Sequence, residues 1–314
     1  MIAVKRYDDE MRDNWNRFNA DSKNPLFMFD RNYMEYHKDR FVDHSLLFYD
    51  DDNLVALLPA SEKNGTLISH GGLTYGGFVT SNKMKQHTMM ECFAALISYA
   101  RDNGFKEIEY KIIPHIYHVQ PAEEDRYALY VNHAELAKVE ASTVVNLTTP
   151  LKMPKGRKAQ ISRAKREGVI IEERTTLTDF NQFIDLENGV LESKHDTHAV
   201  HTGAELNLLH SRFPDNIHLF AAIKDDDMIA GTVIFEYGQT VHTQYMAAND
   251  LAREIGALDL TISHVIEQYS ASKLWLDFGI STEKSGTILN EGLISQKEGF
   301  GGRTNTYESW KVIL

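Results

Sequence analysis

Apolar and polar positions change period several times along the chain, and each change marks an element. Ser45–Ala60 reads SLLFYDDDNLVALLPA, two apolar runs about an acidic turn, which predicts a β-hairpin. His218–Phe235, HLFAAIKDDDMIAGTVIF, repeats the pattern and the three aspartates. A third strand-like segment follows each hairpin, around 65–70 and at 239–248 (QTVHTQYMAA). The period then becomes helical. Met89, Cys92, Phe93, Leu96, Ile97 and Ala100 fall on one stripe, and so do Leu258, Ile262, Val265, Ile266 and Tyr269. Asp102–Gly104 stops the first helix, with Gly104 suited to a left-handed turn. A strand follows each helix, KEIEYKI (106–112) and KLWLDFG (273–279). Helix and strand segments close each half: PAEEDRYALYVNHAEL into STVVNL, and TILNEGLISQKEGF into TNTYESWKVIL. Ahead of the hairpins, YDDEMRDNWNRF and TLTDFNQFIDLENGVLE read as helices with acidic first turns. Each half is therefore helix, helix, three-stranded meander, helix, strand, helix, strand, and the shared order points to an internal duplication.

Composition narrows the class. The chain has 314 residues, a net charge of −12 and a single cysteine, Cys92. That length suggests about two domains, and an internal disulfide is impossible. No apolar run approaches the roughly 18 residues of a membrane span, and MIAVKRYDDE lacks the pattern of a signal peptide. The expected setting is the reducing cytoplasm. The acidic balance disfavours non-specific polyanion binding overall. One segment runs against it. Lys152–Gly168 carries Lys152, Lys155, Arg157, Lys158, Arg163, Lys165 and Arg166 against one acid, Glu167. Pro154 suits a helix start and Gly168 a stop. It reads either as a solvated connector helix or as a phosphate-contacting wall beside a cleft.

The element order resembles the GNAT acyltransferase fold written twice, and is similar to the Fem aminoacyltransferases and their uncharacterised bacterial relatives. SRAKREGV (162–169), leading into the second half, and the ending LNEGLISQKEGFGG (289–302) carry the likeness. The resemblance implies an α/β protein with mixed sheets and two tandem GNAT-like domains. These are residues 1–150 on the acceptor side without a donor site, a basic connector 151–168, and residues 169–314 for the donor, with a crevice shared between the halves. GNAT proteins bind coenzyme A with Gln or Arg, two residues, Gly, any residue, then Gly or Ala. REIGAL (253–258) matches at Arg253 and Gly256 and departs at Leu258. The unsatisfied N–H groups and dipole of the following helix would favour a phosphate, with Gly256 and Ala257 admitting it closely. The first half has FVTSNKMKQHT at the equivalent place, without glycine. Its glycines lie in SHGGLTYGGFV (69–79), read as a shaped loop open to a ligand, with Tyr75 lining an acceptor pocket.

Polar groups on the third meander strand of the second half are the first candidate chemistry. Strict alternation puts His242 and Gln244 on one face, Thr243 and Tyr245 on the other. They read either as a satisfied core cluster or as a cleft wall, with His242 as base, Gln244 on the substrate and Tyr245 protonating the leaving group. LDFGISTEKSG (276–286) follows the next strand, where ligands of α/β sheets gather. Glu283 is the preferred general base and Asp277 the second. Lys297 resembles the lysine often found near this point in Fem-type proteins, where a cation steadies phosphate or an oxyanion. By pseudosymmetry Lys111, His115 and Tyr117 belong to the acceptor side. His195, His198 and His201 are spaced three and six apart, which does not hold three zinc ligands on one helical face. No metal is expected, and His198 is read as part of a polar substrate loop.

The leading function is transfer of an acyl group from an acyl-coenzyme A to an amine by direct attack, the acceptor being a small molecule or a cell-wall precursor. Aminoacyl-tRNA is the alternative donor, supported by the Fem-like duplication and the basic segment but not by any long heptad-patterned arm. A non-catalytic scaffold that keeps the fold is the reading from another class. Cys92 lies on an apolar stripe and is not read as a nucleophile.

Overall fold

The computed structural model describes residues 1–195 and 198–314, and the side chains of all of these but 193–195. The chain forms two compact units. The first comprises Met1–Glu140, Thr282–Ile288 and Thr306–Leu314, the second Ala141–Ser281 and Leu289–Asn305. This differs from a single cut near residue 150, because the chain's end takes a place in the first unit's sheet: Ser309 to Ile313 pair antiparallel with Lys111 to Glu107.

In the first unit the hairpin Leu46–Asp50 and Asn53–Leu58 is flanked by Ile2–Arg6 on one side and Val79–Thr80 on the other. Neither flank is the expected neighbour. Thr66–Ile68 instead pairs with Ser61–Lys63 and, in parallel, with Glu107–Lys111. Helix Gln86–Asp102 buries Met89, Cys92, Phe93, Leu96 and Ala100 in a core with Phe48, Leu58 and Phe78. Burial pushes the Cys92 thiol up to about 12, so it stays protonated and inert. Within the glycine-rich loop Gly76 packs on its own protein, where a Cβ would meet the Ser69 carbonyl oxygen at 1.9 Å, while Gly71 and Gly72 are exposed.

The second unit repeats the plan. Helices Leu177–His195 and Gly203–Arg212 precede strands Ile217–Lys224, Asp227–Glu236 and Thr240–Ala248. Helix Ala257–Tyr269, strand Trp275–Ile280 and helix Glu291–Glu298 follow. Ile170–Arg174 pairs with Ile217–Lys224 as Ile2–Arg6 pairs with Leu46–Asp50, so each unit gains a leading strand that the hydrophobic pattern did not predict. The duplication extends to an irregularity. Each hairpin skips one residue just past its acidic turn, Val55 in the first and Ile229 in the second. Each turn also opens on an aspartate at positive φ, Asp51 at 52° and Asp225 at 50°. A bulge at the same offset from the same turn is a shared backbone feature that composition alone would not impose.

One buried cation holds the start of the first unit. Arg31 is 2% exposed. It pairs with Glu35 at 3.1 Å and with Asp43, donates to Ser45 Oγ at 3.3 Å, and lies 3.7 Å from the centre of the Tyr7 ring. Burial alone would raise the Asp43 carboxyl, but Arg31 and its hydrogen bonds hold it below its ordinary value. Arg31→Ala would leave Asp43 without its cation and Glu35 with Arg12 alone, and is expected to destabilise the protein by about 3–5 kcal/mol. Urea denaturation checks this, and a loss under about 1 kcal/mol would contradict it.

Candidate active site

The second unit opens where two parallel strands part. Thr240–Ala248 and Trp275–Ile280 share the register pairs Thr240 with Trp275, Val241 with Leu276 and His242 with Asp277, and then diverge. On its other edge Trp275–Ile280 loses register with the 141–146 segment between Asp277 and Ile280, and Gly279 turns the chain with φ 69°. The Asp277 carboxylate is fully buried at this fork. Its Oδ1 accepts from Ser142 Oγ at 2.5 Å and from the Gly279 N–H at 2.9 Å, and Oδ2 lies 3.4 Å from His242 Nδ1. Beyond the fork is a cavity of about 660 Å³.

Its walls come from five directions, one of them helix Leu177–His195. Thr243, Gln244, Tyr245 and Met246 line it consecutively, which strict strand alternation would forbid. The reason is a bulge: Val233 faces Tyr245 and Ile234 faces Thr243, so Gln244 is the extra residue. The expectation that Gln244 shares a face with His242 is thereby corrected, and His242 stays behind the wall. Helix Glu291–Glu298 contributes Lys297, 3% exposed, whose Nζ donates to the carbonyls of Gly279 at 2.9 Å and Ile280 at 2.7 Å. Burial brings this lysine down to about 8. The basic segment is a helix, Lys155–Arg166, and its Arg157 lines the cavity. Arg157 pairs with Asp259, donates to the Gln296 carbonyl at 2.8 Å and lies 4.2 Å from the Phe300 ring centre. Burial raises the Asp259 carboxyl against the opposing pull of Arg157.

The fourth wall is the turn from helix Asp250–Ile255 into Ala257–Tyr269, made at Gly256 with φ 80°. Gly256 and Arg253 line the cavity with Leu258. The bare side of Gly256 faces the protein rather than a ligand: a Cβ there would meet the Gln160 carbonyl oxygen at 2.7 Å. The glycine serves the left-handed turn and the approach of the basic helix. Ala257 is fully buried with Ala164, Ala252 and Leu260 and does not reach the cavity.

Residues 155–284 match the family model described as an acetyltransferase (GNAT) domain. Among solved structures, FemX aligns with TM-score 0.68 at 10% identity, over 99% of this chain and 97% of its own. L-PGS from Bacillus licheniformis aligns with TM-score 0.64 at 14% identity over 98% and 92%. A tandem GNAT protein from the clavulanic acid biosynthesis pathway gives 0.56 at 10% over 100% and 98%. The chain has the GNAT fold, in tandem. Its relatives in architecture include Fem proteins, and at these identities the likeness is one of fold. No curated protein matches the sequence.

Within the second GNAT unit the cavity gathers Arg253, Gly256, Gln244, Tyr245 and Lys297 from the sequence-based candidates. Asp277 and His242 lie buried at its base rather than on its wall. Glu283 falls in the first unit, exposed on the short strand Thr282–Glu283, and does not line the cavity. His198 is exposed, 3.3 Å from Glu192, and the His195 side chain lies outside the described residues. His201 is buried, with Nδ1 2.7 Å from the Tyr245 hydroxyl. Among the described residues no group of His, Cys, Asp and Glu is arranged to hold a metal ion. In the first GNAT unit Tyr75 donates to Tyr117 at 2.5 Å and meets Tyr307 at 2.8 Å, all three buried. Lys111 donates to the His70 and Leu73 carbonyls at 2.9 and 2.7 Å, and burial lowers it to about 8. His115 is exposed.

Sequence reasoning passed over Glu187. It sits on helix Leu177–His195, lines the cavity and is 8% exposed. The signal was present. Phe180, Phe183 and Ile184 form the buried stripe of that helix, and Glu187 follows in step with them.

Gly256→Ala is expected to lower stability by about 2 kcal/mol or more, since a left-handed turn alone costs an alanine about 1–2 kcal/mol and the Gln160 backbone must also move. Gly292→Ala, in a helix with only an ordinary contact at 3.7 Å, is expected to be neutral or stabilising by about 0.5–1 kcal/mol. Denaturant unfolding of the pair tests the reading, and equal effects would refute it.

Proposed function

We propose that the second unit is an N-acyltransferase site that moves an acyl group from an activated donor onto an amine by direct attack. The observation that carries this is the fork. Two parted parallel strands admit an acyl chain between them, beside a helix start and a bulge that frees a backbone N–H. The acyl carbonyl would lie against the backbone at Gln244 and Tyr245, where an N–H outside the ladder stabilises the oxyanion of the tetrahedral intermediate. Burial pushes the Tyr245 hydroxyl up to about 12, keeping it protonated at neutral pH and able to donate to the leaving group. Lys297 holds the carbonyls of the parted strand and adds positive charge to the same cavity.

Acyl-coenzyme A is the first donor reading, because Arg253 and the Gly256 turn border the cavity where a phosphate would meet a helix start. Aminoacyl-tRNA is the second, and a specific feature favours it. Lys152, Lys155, Lys158, Lys165 and Arg166 are exposed on or beside the basic helix and make no ion pair among the described residues. The acceptor class is an amine, small or carried by a cell-wall precursor.

Acetyl-coenzyme A is expected to bind by calorimetry and to acetylate members of an amine panel. Arg253→Glu should weaken that binding about tenfold or more, the scale of one charge-assisted hydrogen bond. Binding of an aminoacylated RNA hairpin that weakens steeply from 50 to 200 mM salt, with acetyl-coenzyme A silent, would move the donor to the second reading. Silence with both would remove acyl transfer and leave a scaffold.

A further inference from the structure

A carboxylate stands in the cavity wall at a position built for an apolar side chain. Phe180, Phe183 and Ile184 are buried on the face of their helix that packs against Asp227–Glu236 and Thr240–Ala248. The Phe183 ring lies 3.1 Å from where a Cβ on Gly231 would stand. Glu187 continues this stripe into the cavity. Its Oε2 is sealed from solvent, and the carboxyl makes no hydrogen bond or ion pair among the described residues. It supports no neighbour and closes no network, so a structural duty does not account for it.

The charged groups around it are otherwise engaged. From the facing strand comes Tyr245, bonded to His201. From the helix packed alongside, Glu205 is held in its capping box and His210 Nδ1 lies 2.8 Å from the Ile217 carbonyl. On the other walls Arg157 is paired with Asp259, Arg253 with Asp250, and Lys297 with two carbonyls. The cavity is thus polarised. Its cations gather on the basic helix, the Gly256 turn and helix Glu291–Glu298, while Glu187 supplies an unpaired acid on the remaining wall. An anionic ligand group belongs at the first end, and a group rich in N–H donors at the second.

We propose that Glu187 is the acceptor-side carboxylate of this cavity, which binds the ammonium of an amine substrate and takes its proton as the nitrogen attacks the acyl carbon. This rests on the acyl-transfer reading above. The ammonium gives one proton to Glu187, and the freed lone pair forms the N–C bond. The tetrahedral intermediate expels the thiol or alcohol with the electron pair of the broken C–S or C–O bond. The Tyr245 hydroxyl gives its proton to that leaving group and regains one from the nitrogen, and Glu187 later releases its proton to water. Burial raises Glu187 to about 7, which suits a base working near neutrality.

The test has a readout that needs no donor. Calorimetry with n-butylamine, an ammonium throughout pH 6–8, is expected to show binding to the wild type about tenfold tighter at pH 8 than at pH 6, as a carboxyl titrating near 7 ionises. Glu187→Gln should bind it about tenfold or more weakly at pH 8 and show no pH dependence. The variant should remain folded. The raised carboxyl makes the native state bind more protons than the unfolded chain between 4.5 and about 7. Wild-type stability relative to Glu187→Gln should therefore fall as pH rises through that window. Butylamine binding equal in wild type and variant, or flat between pH 6 and 8, overturns the proposal. So does turnover in which Glu187→Gln keeps both its rate and the acidic limb near pH 7. Wild type that binds butylamine through Glu187 yet transfers from neither donor would instead count against acyl transfer and in favour of the ammonium site.

Discussion

The second unit depends on how a parallel ladder can stop while its strands run on. Every peptide group that leaves the ladder needs another partner or faces an unsatisfied burial. At the fork the substitutes are side chains. Asp277 accepts the Gly279 N–H, and Lys297 donates to the carbonyls of Gly279 and Ile280. Ser142 and His242 steady the carboxylate from either side. The strands can part because these groups replace the missing rungs, and the cavity occupies the space between them. Lys297 therefore has a backbone duty before any duty to a ligand. Its own ammonium is destabilised by burial and supported by the charge of Asp277.

The first unit reaches the same place and fills it. Val79–Thr80 and Glu107–Lys111 share no ladder. The Tyr110 hydroxyl bridges them instead, accepting from the Phe78 N–H at 2.7 Å and donating to Asp125 at 2.7 Å. Phe78 meets Phe93 edge to face, and both rings pack tilted against Tyr110. Burial raises Asp125 to about 6, opposed by the hydrogen bond from Tyr110. Two copies of one plan, alike down to the bulge beside the acidic turn, have thus treated one opening in opposite ways. That filling supports the proposal that donor binding belongs to the second unit.

What could be read from the sequence was whatever repeats along it. The hairpins and the long amphipathic helices follow from periods of two and of three to four residues, and both are present, while the first unit's third meander strand is replaced by Val79–Thr80. The short strands at Ile2–Arg6 and Ile170–Arg174 carry too few alternations to stand out from a helix entry. The bulge at Gln244 inserts no special residue, so alternation extrapolated through it put its neighbours on the wrong faces. Gly256 was legible as a turn but not as a contact, because Gln160 lies far off in sequence and comes close only through packing. Glu283 looked favourable as an acid in a loop after a strand, a test that cannot distinguish a cavity wall from an exposed edge. Glu187 was legible by the opposite test, an acid where the stripe called for a hydrophobe.

Two buried carboxylates in one unit show how surroundings divide labour. Asp277 has its oxygens occupied by a hydroxyl, a peptide N–H and an imidazole at the fork, and removing it would strand them all. Among the described residues Glu187 has no such company. A buried acid without partners weakens the native state wherever it ionises, so selection for stability alone would replace it with leucine or glutamine. The unbonded acid is thus the better candidate for chemistry, and the fully bonded one for architecture. Sequence alone offered Asp277, second to Glu283, because it sits where ligands of α/β sheets usually gather, and passed over Glu187. Proximity to the strand ends points to the same cavity, but only the count of hydrogen bonds separates the group that holds it open from the group free to act in it.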